Sequence, residues 1–507
     1  MNTLPVAIIG AGPVGLAAAA HLARYHQPFV VLEAGSHAGA AMRQWAHVRT
    51  FSPWRYMIDA ASRELLEETG WRTPDPEKLP TGGELIAQYL TPLSRHAALA
   101  PHIHFDARVV SVGRKDFDKV RTKGRDAQPF EIRVATGETI EARAVIDASG
   151  TWLTPNPAGS GGIAAKGETE HRDRIAYGIP DVLSRDRDRY AGKGIVVVGS
   201  GHSAFNVILD LLTLAEQAPQ TRITWVMRRD NLESVWGGGA ADALEARGEL
   251  GQRAKRAYEA GRLHVVTPYR IRAIAPVSHA LQISGTVNGT DQILIADQVI
   301  VCTGFRPDLD MLSEIRLGLD PWLECPAALG PLIDPNEHSC GTVRPHGARE
   351  LAHPEKDFYI AGMKSYGRAP TFLMATGYEQ VRSIAAMLAG DVAAAERVEL
   401  VLPETGVCST DAITGASSCC TPVAVGVSAP VATAAAGCCG GPASASALAR
   451  LRELRPDLAV AASGREGGPA GADACCSDDA SAKAEGKSGC GCNGEPVVLL
   501  QVGRARN

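Results

Sequence analysis

The sequence predicts an α/β protein built on two doubly wound parallel sheets and followed by a cysteine-rich tail. Three observations carry that expectation. β-Branched apolar runs alternate with helical patterns from residue 4 to about 400, two glycine-rich turns (VAIIGAGPVG and GIVVVGSGHS) each join a strand to a helix, and bulky apolar residues thin out after about residue 402. Strands interleaved with helices favour parallel sheets covered by helices, and two such turns imply two sheets.

The first sheet begins with VAIIG and a helix through Leu22, and continues with FVVLEAG, ARVVSVGR, EIRVAT and AVIDASG. Gly10, Gly12 and Gly15 stand in G-x-G-x-x-G register between strand and helix. Gly10 permits a tight turn, Gly12 lets a pyrophosphate approach the backbone, and Gly15 lets helix and strand pack closely. The helix N-terminus supplies aligned amide dipoles for phosphate. FVVLEAG then ends its strand in Glu33, placed to accept bonds from a ribose hydroxyl.

GIVVVGSGHSAFNVILDLL repeats the device with Gly199 and Gly201, but Ala204 takes the third position. The next strand, RITWVMRR, ends in Arg228 and Arg229 where the first ended in Glu33. A carboxylate there would repel a 2′-phosphate, whereas guanidinium groups pair with one. The second site should therefore prefer NADPH to NADH, the alternative being that the arginines are solvated surface charge. Further strands follow in LHVV, DQVIVCTG and DFYIAG, with a last helix from Ala375 to Leu388. These elements divide the chain into residues 1–155 and 300–400 as one discontinuous domain, 156–299 as a second, and 401–507 as a tail.

Of 507 residues, 45% are hydrophobic and 21% charged, the profile of a globular protein. A formal charge of -5 argues against binding to nucleic acid or anionic lipid. No apolar run is long enough to span a bilayer. Because VAIIG begins at Val6, no secretory leader is expected ahead of it, and the expected location is cytoplasmic.

The tail contains no Phe, Trp or Tyr and nine of the 12 cysteines. It offers too little apolar surface to offset chain entropy. Its cysteines include the doublets Cys419–Cys420, Cys438–Cys439 and Cys475–Cys476, with Cys490 and Cys492 one residue apart. Soft ions favour thiolate ligands, so the doublets suit capture of a trivalent metalloid. A zinc or copper site and an inert extension are the alternatives; paired zinc ligands are usually two residues apart, which CC and CxC do not match.

Two dinucleotide turns in one chain, the first with an acid and the second with arginines, resemble the two-dinucleotide-binding-domain flavoproteins. AVIDASGTW and VIVCTGFRPD are similar to the segments where the chain crosses between domains in that superfamily, and DFYIAGMKSYG to the late segment returning to the flavin. The resemblance implies FAD on Gly10, Gly12, Pro13, Gly15, Glu33, Trp45, Val109, Ser149, Gly150 and Gly362. It implies NADPH on Gly199, Ser200, Gly201, His202, Ser203, Arg228, Arg229, Thr303 and Gly304.

Disulfide reductases of the superfamily need a dithiol at the flavin, and the first 301 residues contain no cysteine. Monooxygenases carry F-x-G-x-x-x-H-x-x-x-aromatic between the two turns; KGETEHRDRIAYG supplies Gly167 and His171, with Ala165 and Ile175 where aromatics would stand. His171 is either part of that fingerprint or a surface histidine.

AMRQWAHVRTFSPWRYMID, LPTGGELIAQYLTPLS and HSCGTVRPHGARELAHPEKDFYIAG resemble a monooxygenase-like group from arsenic and antimony resistance operons. Its members oxidise trivalent metalloids with NADPH, FAD and oxygen. That resemblance implies arsenite, methylarsenite or antimonite as substrate. A flavin reductase using tail cysteines, and a non-catalytic metalloid chaperone or sensor, are the competing readings. On the body, Cys302 is expected to be buried packing. Cys325 and Cys340, on loops near His338, His346 and His353, are expected to present ligands or to shape the substrate entrance.

Overall fold

A computed structural model describes residues 4–236, 245–338, 343–370 and 372–400. The first sheet has five parallel strands in the order Phe358–Ile360, Ala144–Asp147, Val6–Ile9, Phe29–Leu32, Ile103–His104. The second, also parallel, runs His264–Val266, Arg222–Val226, Gly194–Val198, Gln298–Val301, Ile175–Tyr177. VAII, FVVL and AVID are buried at every residue. Continuous apolar runs of this kind are what a sheet covered on both faces requires.

Two segments expected in the parallel sheet lie elsewhere. ARVVSVGR and EIRVAT supply Val109–Arg114 and Phe130–Val134, which pair antiparallel and are joined by Thr139–Ala142. A second antiparallel sheet of Tyr269–Val277, Ala280–Val287 and Thr290–Ala296 was not anticipated. Several of its strands alternate between buried and exposed residues, the signature of a sheet with one wet face.

Three helices cover the nucleotide turns. Pro13–Arg24 starts with proline, whose missing N–H is no loss at that position, and buries Val14 through Leu22. His202–Gln217 follows the second turn. Met374–Ala389 packs against the first helix, and Gly390 ends it in the left-handed region at φ 87°.

The chain crosses between the halves twice, and the crossings run side by side. Asn156 N–H donates to Gly304 O at 2.9 Å and Arg306 N–H to Thr154 O at 3.0 Å. The return crossing falls later than expected: Gln298–Val301 pairs with Gly194–Val198, so those residues belong to the second half.

A buried charge cluster pins the first antiparallel sheet to the return segment. Glu355 accepts from Arg114 Nε at 2.8 Å and from Arg125 Nη2 at 2.9 Å, all three side chains being 2% exposed or less. Burial alone would push the Glu355 carboxyl up, but the bonds from Arg125 and Arg114 outweigh it and hold it below its ordinary value. This stabilisation is therefore present at neutral pH and is lost as pH falls through that lowered value. Glu355→Ala strands two buried guanidinium groups and should cost about 3–5 kcal/mol, read as a fall in Cm in urea at unchanged m.

Candidate nucleotide and redox site

At the first turn Gly10 has φ 99°, and a Cβ there would lie 2.9 Å from Ala148 O. A Cβ on Gly15 would lie 1.9 Å from Gly10 O. Both glycines are thus demanded by the protein itself. Gly12 is different: its φ is -78°, and a Cβ would meet nothing within 4 Å. Neither backbone nor packing requires glycine there, and the open space lies at the N-terminus of the first helix, where a pyrophosphate would bind. The second turn repeats the pattern. Gly199, φ 126°, would put a Cβ 2.3 Å from Cys302 O, while Gly201, φ -93°, faces open space.

Glu33 is buried and fixed by the turn it serves. Ala11 N–H donates to Oε2 at 2.7 Å and Gly35 N–H to Oε1 at 2.8 Å. Each oxygen keeps a lone pair for a ribose hydroxyl. Ala107 N–H donates to Glu33 O at 2.8 Å, which brings the chain leading into Val109 beside this carboxylate.

The strand ends opposite are locked by an ion pair the sequence reading missed. Lys364 Nζ donates to Asp147 Oδ2 at 2.6 Å and to Ser149 Oγ at 3.1 Å, both charged side chains being 0% exposed. Ser149 donates from Oγ and N to Asp147 Oδ1. Gly150 follows at φ 74°, and Gly362, φ 71°, donates its N–H to the buried Gln380 at 2.7 Å. The expected FAD residues Gly10, Gly12, Pro13, Gly15, Ser149, Gly150 and Gly362 therefore meet at one end of the first sheet.

Trp45 lies at the seam, its ring 6.1 Å from Trp152, which stacks on Phe305 at 4.6 Å. His202, at the start of the second turn's helix, meets Phe51 at 5.5 Å. Ser200 and Ser203 flank it, half-buried. Arg228 is exposed and donates to Ser160 O at 2.8 Å, and Arg229 is half-buried beside it. Thr303 spends its hydroxyl on Asn156 O and Pro157 O, so it serves the crossing; Gly304, φ 88°, is exposed in the same segment.

The half-matched fingerprint has a structural role. Gly167, φ 81°, sits so close to Ile274 O that a Cβ would lie 2.0 Å away. Its neighbour Glu168, 1% exposed, accepts from the amides of Ala158, Gly159 and Ala165 and from Tyr177 OH. His171 precedes a single 3₁₀ turn, half-buried.

The expected role of Cys325 does not hold. It is 0% exposed, and burial pushes its thiol up to about 12, so it presents no thiolate. Cys302 is buried packing as expected, donating to Gly178 O at 3.3 Å, its thiol likewise pushed up to about 12 by burial. His346 and His353 are buried and do not line an entrance, and His338, half-buried, bonds Pro331 O. Cys340 and the candidate metalloid ligands Cys419, Cys420, Cys438, Cys439, Cys475, Cys476, Cys490 and Cys492 lie outside the described residues. Among the described residues no group of three or more His, Cys, Asp or Glu could hold a metal ion, and no helix is long and apolar enough to cross a membrane.

Residues 7–325, more than half of the chain, match the family model described as pyridine nucleotide-disulphide oxidoreductase. The chain belongs to that family. FAD and NADPH are its cofactors, and the open space at Gly12 and Gly201 fits both. A ferredoxin–NADP reductase from Gluconacetobacter diazotrophicus is 28% identical over 39% of this chain and 53% of its own length. One from Granulibacter bethesdensis is 27% identical over 62% of this chain and 74% of its own. A flavin-containing monooxygenase (GS-OX-like 3) from Arabidopsis thaliana is 26% identical over 42% and 49%. The chain thus spans about half the length of several curated relatives it matches. Among solved structures, bacillithiol disulfide reductase from Staphylococcus aureus superposes with TM-score 0.56 at 16% identity, covering 76% of this chain and 98% of that one. A FAD-bound cadaverine monooxygenase from Erwinia amylovora gives 0.55 at 12%, covering 81% and 99%. These likenesses share the fold.

Two contrasts test the site. Gly12→Ala meets no protein atom, so it should keep the wild-type melting temperature yet purify without FAD; Gly15→Ala should lower the melting temperature outright. Arg228→Ala should raise KM for NADPH about 10- to 100-fold and leave KM for NADH unchanged, the loss of one charge-assisted contact.

Proposed function

We propose that this family member is an NADPH- and FAD-dependent oxidase of the monooxygenase type, acting on a trivalent metalloid such as arsenite, methylarsenite or antimonite. The observation that carries the oxygenase side of this reading is the state of its thiols. The two cysteines among the described residues, Cys302 and Cys325, are single, buried and held protonated, so neither forms a flavin-facing dithiol. The doublets of residues 419–476 suit a soft substrate by their chemistry alone.

In this reading the glycine turns and the helix behind each bind pyrophosphate, Glu33 orients the FAD ribose, and Arg228 with Arg229 selects the phosphorylated nicotinamide. When bound, FAD supplies two-electron transfer from NADPH and reaction with oxygen, the chemistry being the cofactor's own. The balance closes: NADPH with a proton gives two electrons, the metalloid lone pair gives two, and oxygen yields water and one new metalloid–oxygen bond. A side-chain acid or base is not needed for that stoichiometry. The lysine-held turn and the buried Glu33 contribute orientation.

A second reading is electron transfer without oxygenation, favoured by the ferredoxin–NADP reductases among the relatives. Oxygen-electrode and NADPH-absorbance traces with each metalloid distinguish them. The oxygenase reading predicts metalloid-stimulated NADPH oxidation with matching oxygen uptake that stops under argon. Stimulation that persists without oxygen would overturn it in favour of the reductase.

A further inference from the structure

Two indole rings meet at the seam between the halves, and each is seated on a glycine. Trp45, from the first half, lies over Gly82, where a Cβ would come within 2.7 Å of the ring. Trp152 lies over Gly178, φ 85°, where a Cβ would come within 3.0 Å of the indole and 3.6 Å of the Phe305 ring. No side chain fits at either place, so both surfaces are shaped to receive a ring. The two indoles stand 6.1 Å apart, and Trp152 stacks on Phe305 at 4.6 Å with 30° between the ring planes.

Trp152 joins parts that the chain otherwise keeps separate. It stands just past Ala144–Asp147, at the carboxyl end of the first sheet, whereas Gly178 follows Ile175–Tyr177 and Phe305 lies shortly after Gln298–Val301 in the second. Doubly wound sheets bind their ligands outside those carboxyl ends, so the ring bridges the halves on the side where both glycine turns lie. Its own freedom is small. Nε1–H donates to Gln44 Oε1 at 2.9 Å, while Gly178 is fixed by its N–H to Val301 O at 3.0 Å and by Cys302 Sγ to its carbonyl at 3.3 Å.

A strap from the first half reinforces the contact. Gly39 N–H donates to Ala11 O at 2.9 Å, inside the first glycine turn. From there the chain runs through Gln44 and Trp45 to Val48, which packs against the core of the second half, and to Phe51, whose ring is 5.5 Å from His202 at the second turn. One short segment therefore reaches both turns, with Trp152 held against it. To shift one half over the other, Trp152 has to leave its seat on Gly178.

We infer that Trp152 is a positioning residue: by seating the second half against the first, it sets how the nicotinamide approaches the flavin and so how fast electrons pass between them. Trp152 belongs to neither glycine turn, so it governs alignment rather than affinity. A misplacement of about 1 Å between reacting groups slows a reaction by on the order of 100-fold. This role rests on the proposed electron transfer from NADPH to FAD.

The test compares Trp152→Leu and Trp152→Phe with the wild type, using the full chain reconstituted with FAD. Leucine stays apolar but leaves the seat on Gly178 partly empty. It should slow anaerobic bleaching of the flavin at saturating NADPH at least about tenfold, while bound FAD and the Kd for NADP⁺ change less than about twofold. Phenylalanine keeps a ring over Gly178 and should restore most of the rate. Gln44→Ala, which frees the indole without emptying the seat, should give a smaller loss of the same kind and serves if leucine prevents folding. Hydrogen exchange without nucleotides is the second readout: Trp152→Leu should speed exchange at least about threefold in peptides covering Gly178 and Phe305 and leave Pro13–Arg24 unchanged. Wild-type bleaching in Trp152→Leu overturns the assignment, as does a rate loss matched by loss of FAD or of NADP⁺ affinity, or one that phenylalanine does not relieve. If NADPH fails to bleach the wild-type flavin, the proposed function falls by itself; exchange then decides whether Trp152 seats the halves, and unchanged exchange at Gly178 says that it does not.

Discussion

The buried pair of Lys364 and Asp147 is the contact on which the nucleotide site depends. These residues are 217 positions apart in sequence, yet Nζ and Oδ2 meet at 2.6 Å with no solvent access to either side chain. The pair fixes the turn from Asp147 to Gly150 against the segment after Phe358–Ile360. Gly10 then has to pass under Ala148 O, so the phosphate turn inherits its position from this lock. A buried ion pair is a poor source of net stability, because desolvation offsets most of the Coulomb gain. What it supplies is a single arrangement of three strand ends, since any other leaves a charge unpaired in the interior.

The glycines of the two turns separate what the fold needs from what a ligand needs. Gly10, Gly15 and Gly199 are held to glycine by a positive φ, by neighbouring backbone, or by both. Gly12 and Gly201 are ordinary in φ and face open space. Their lack of a side chain has no internal explanation and fits a phosphate that must come against the backbone. The same division occurs twice, once beside the carboxylate of Glu33 and once beside Arg228 and Arg229.

Much of this was legible in the sequence because the signals are local. Strand VAII, the turn at Gly10 and the helix from Pro13 are adjacent in the chain, and the acid in Glu33 ends the very next strand. The last helix, expected from Ala375 to Leu388, runs from Met374 to Ala389. The parts that could not be read are those decided by distant residues. Lys364 looks like a surface lysine until Asp147 is placed over it. Glu168 looks like one charge in a charged run, although it organises the loop from Ala158 to Ala165. Cys325 lies in a stretch rich in proline that reads as an open loop, but Leu323, Leu329 and Ile333 draw it into the core. ARVVSVGR has the apolar content of a parallel strand; only its pairing with Phe130–Val134 shows that it is antiparallel.

The proposed function rests on electron transfer from a phosphorylated nicotinamide to FAD. Anaerobic stopped-flow of the FAD-reconstituted chain tests it most directly, by following flavin absorbance after mixing with NADPH or with NADH. The account predicts one FAD per chain and rapid bleaching by NADPH that NADH matches only at much higher concentration. A chain that stays colourless after reconstitution, or a bound flavin that NADPH leaves oxidised, would contradict it.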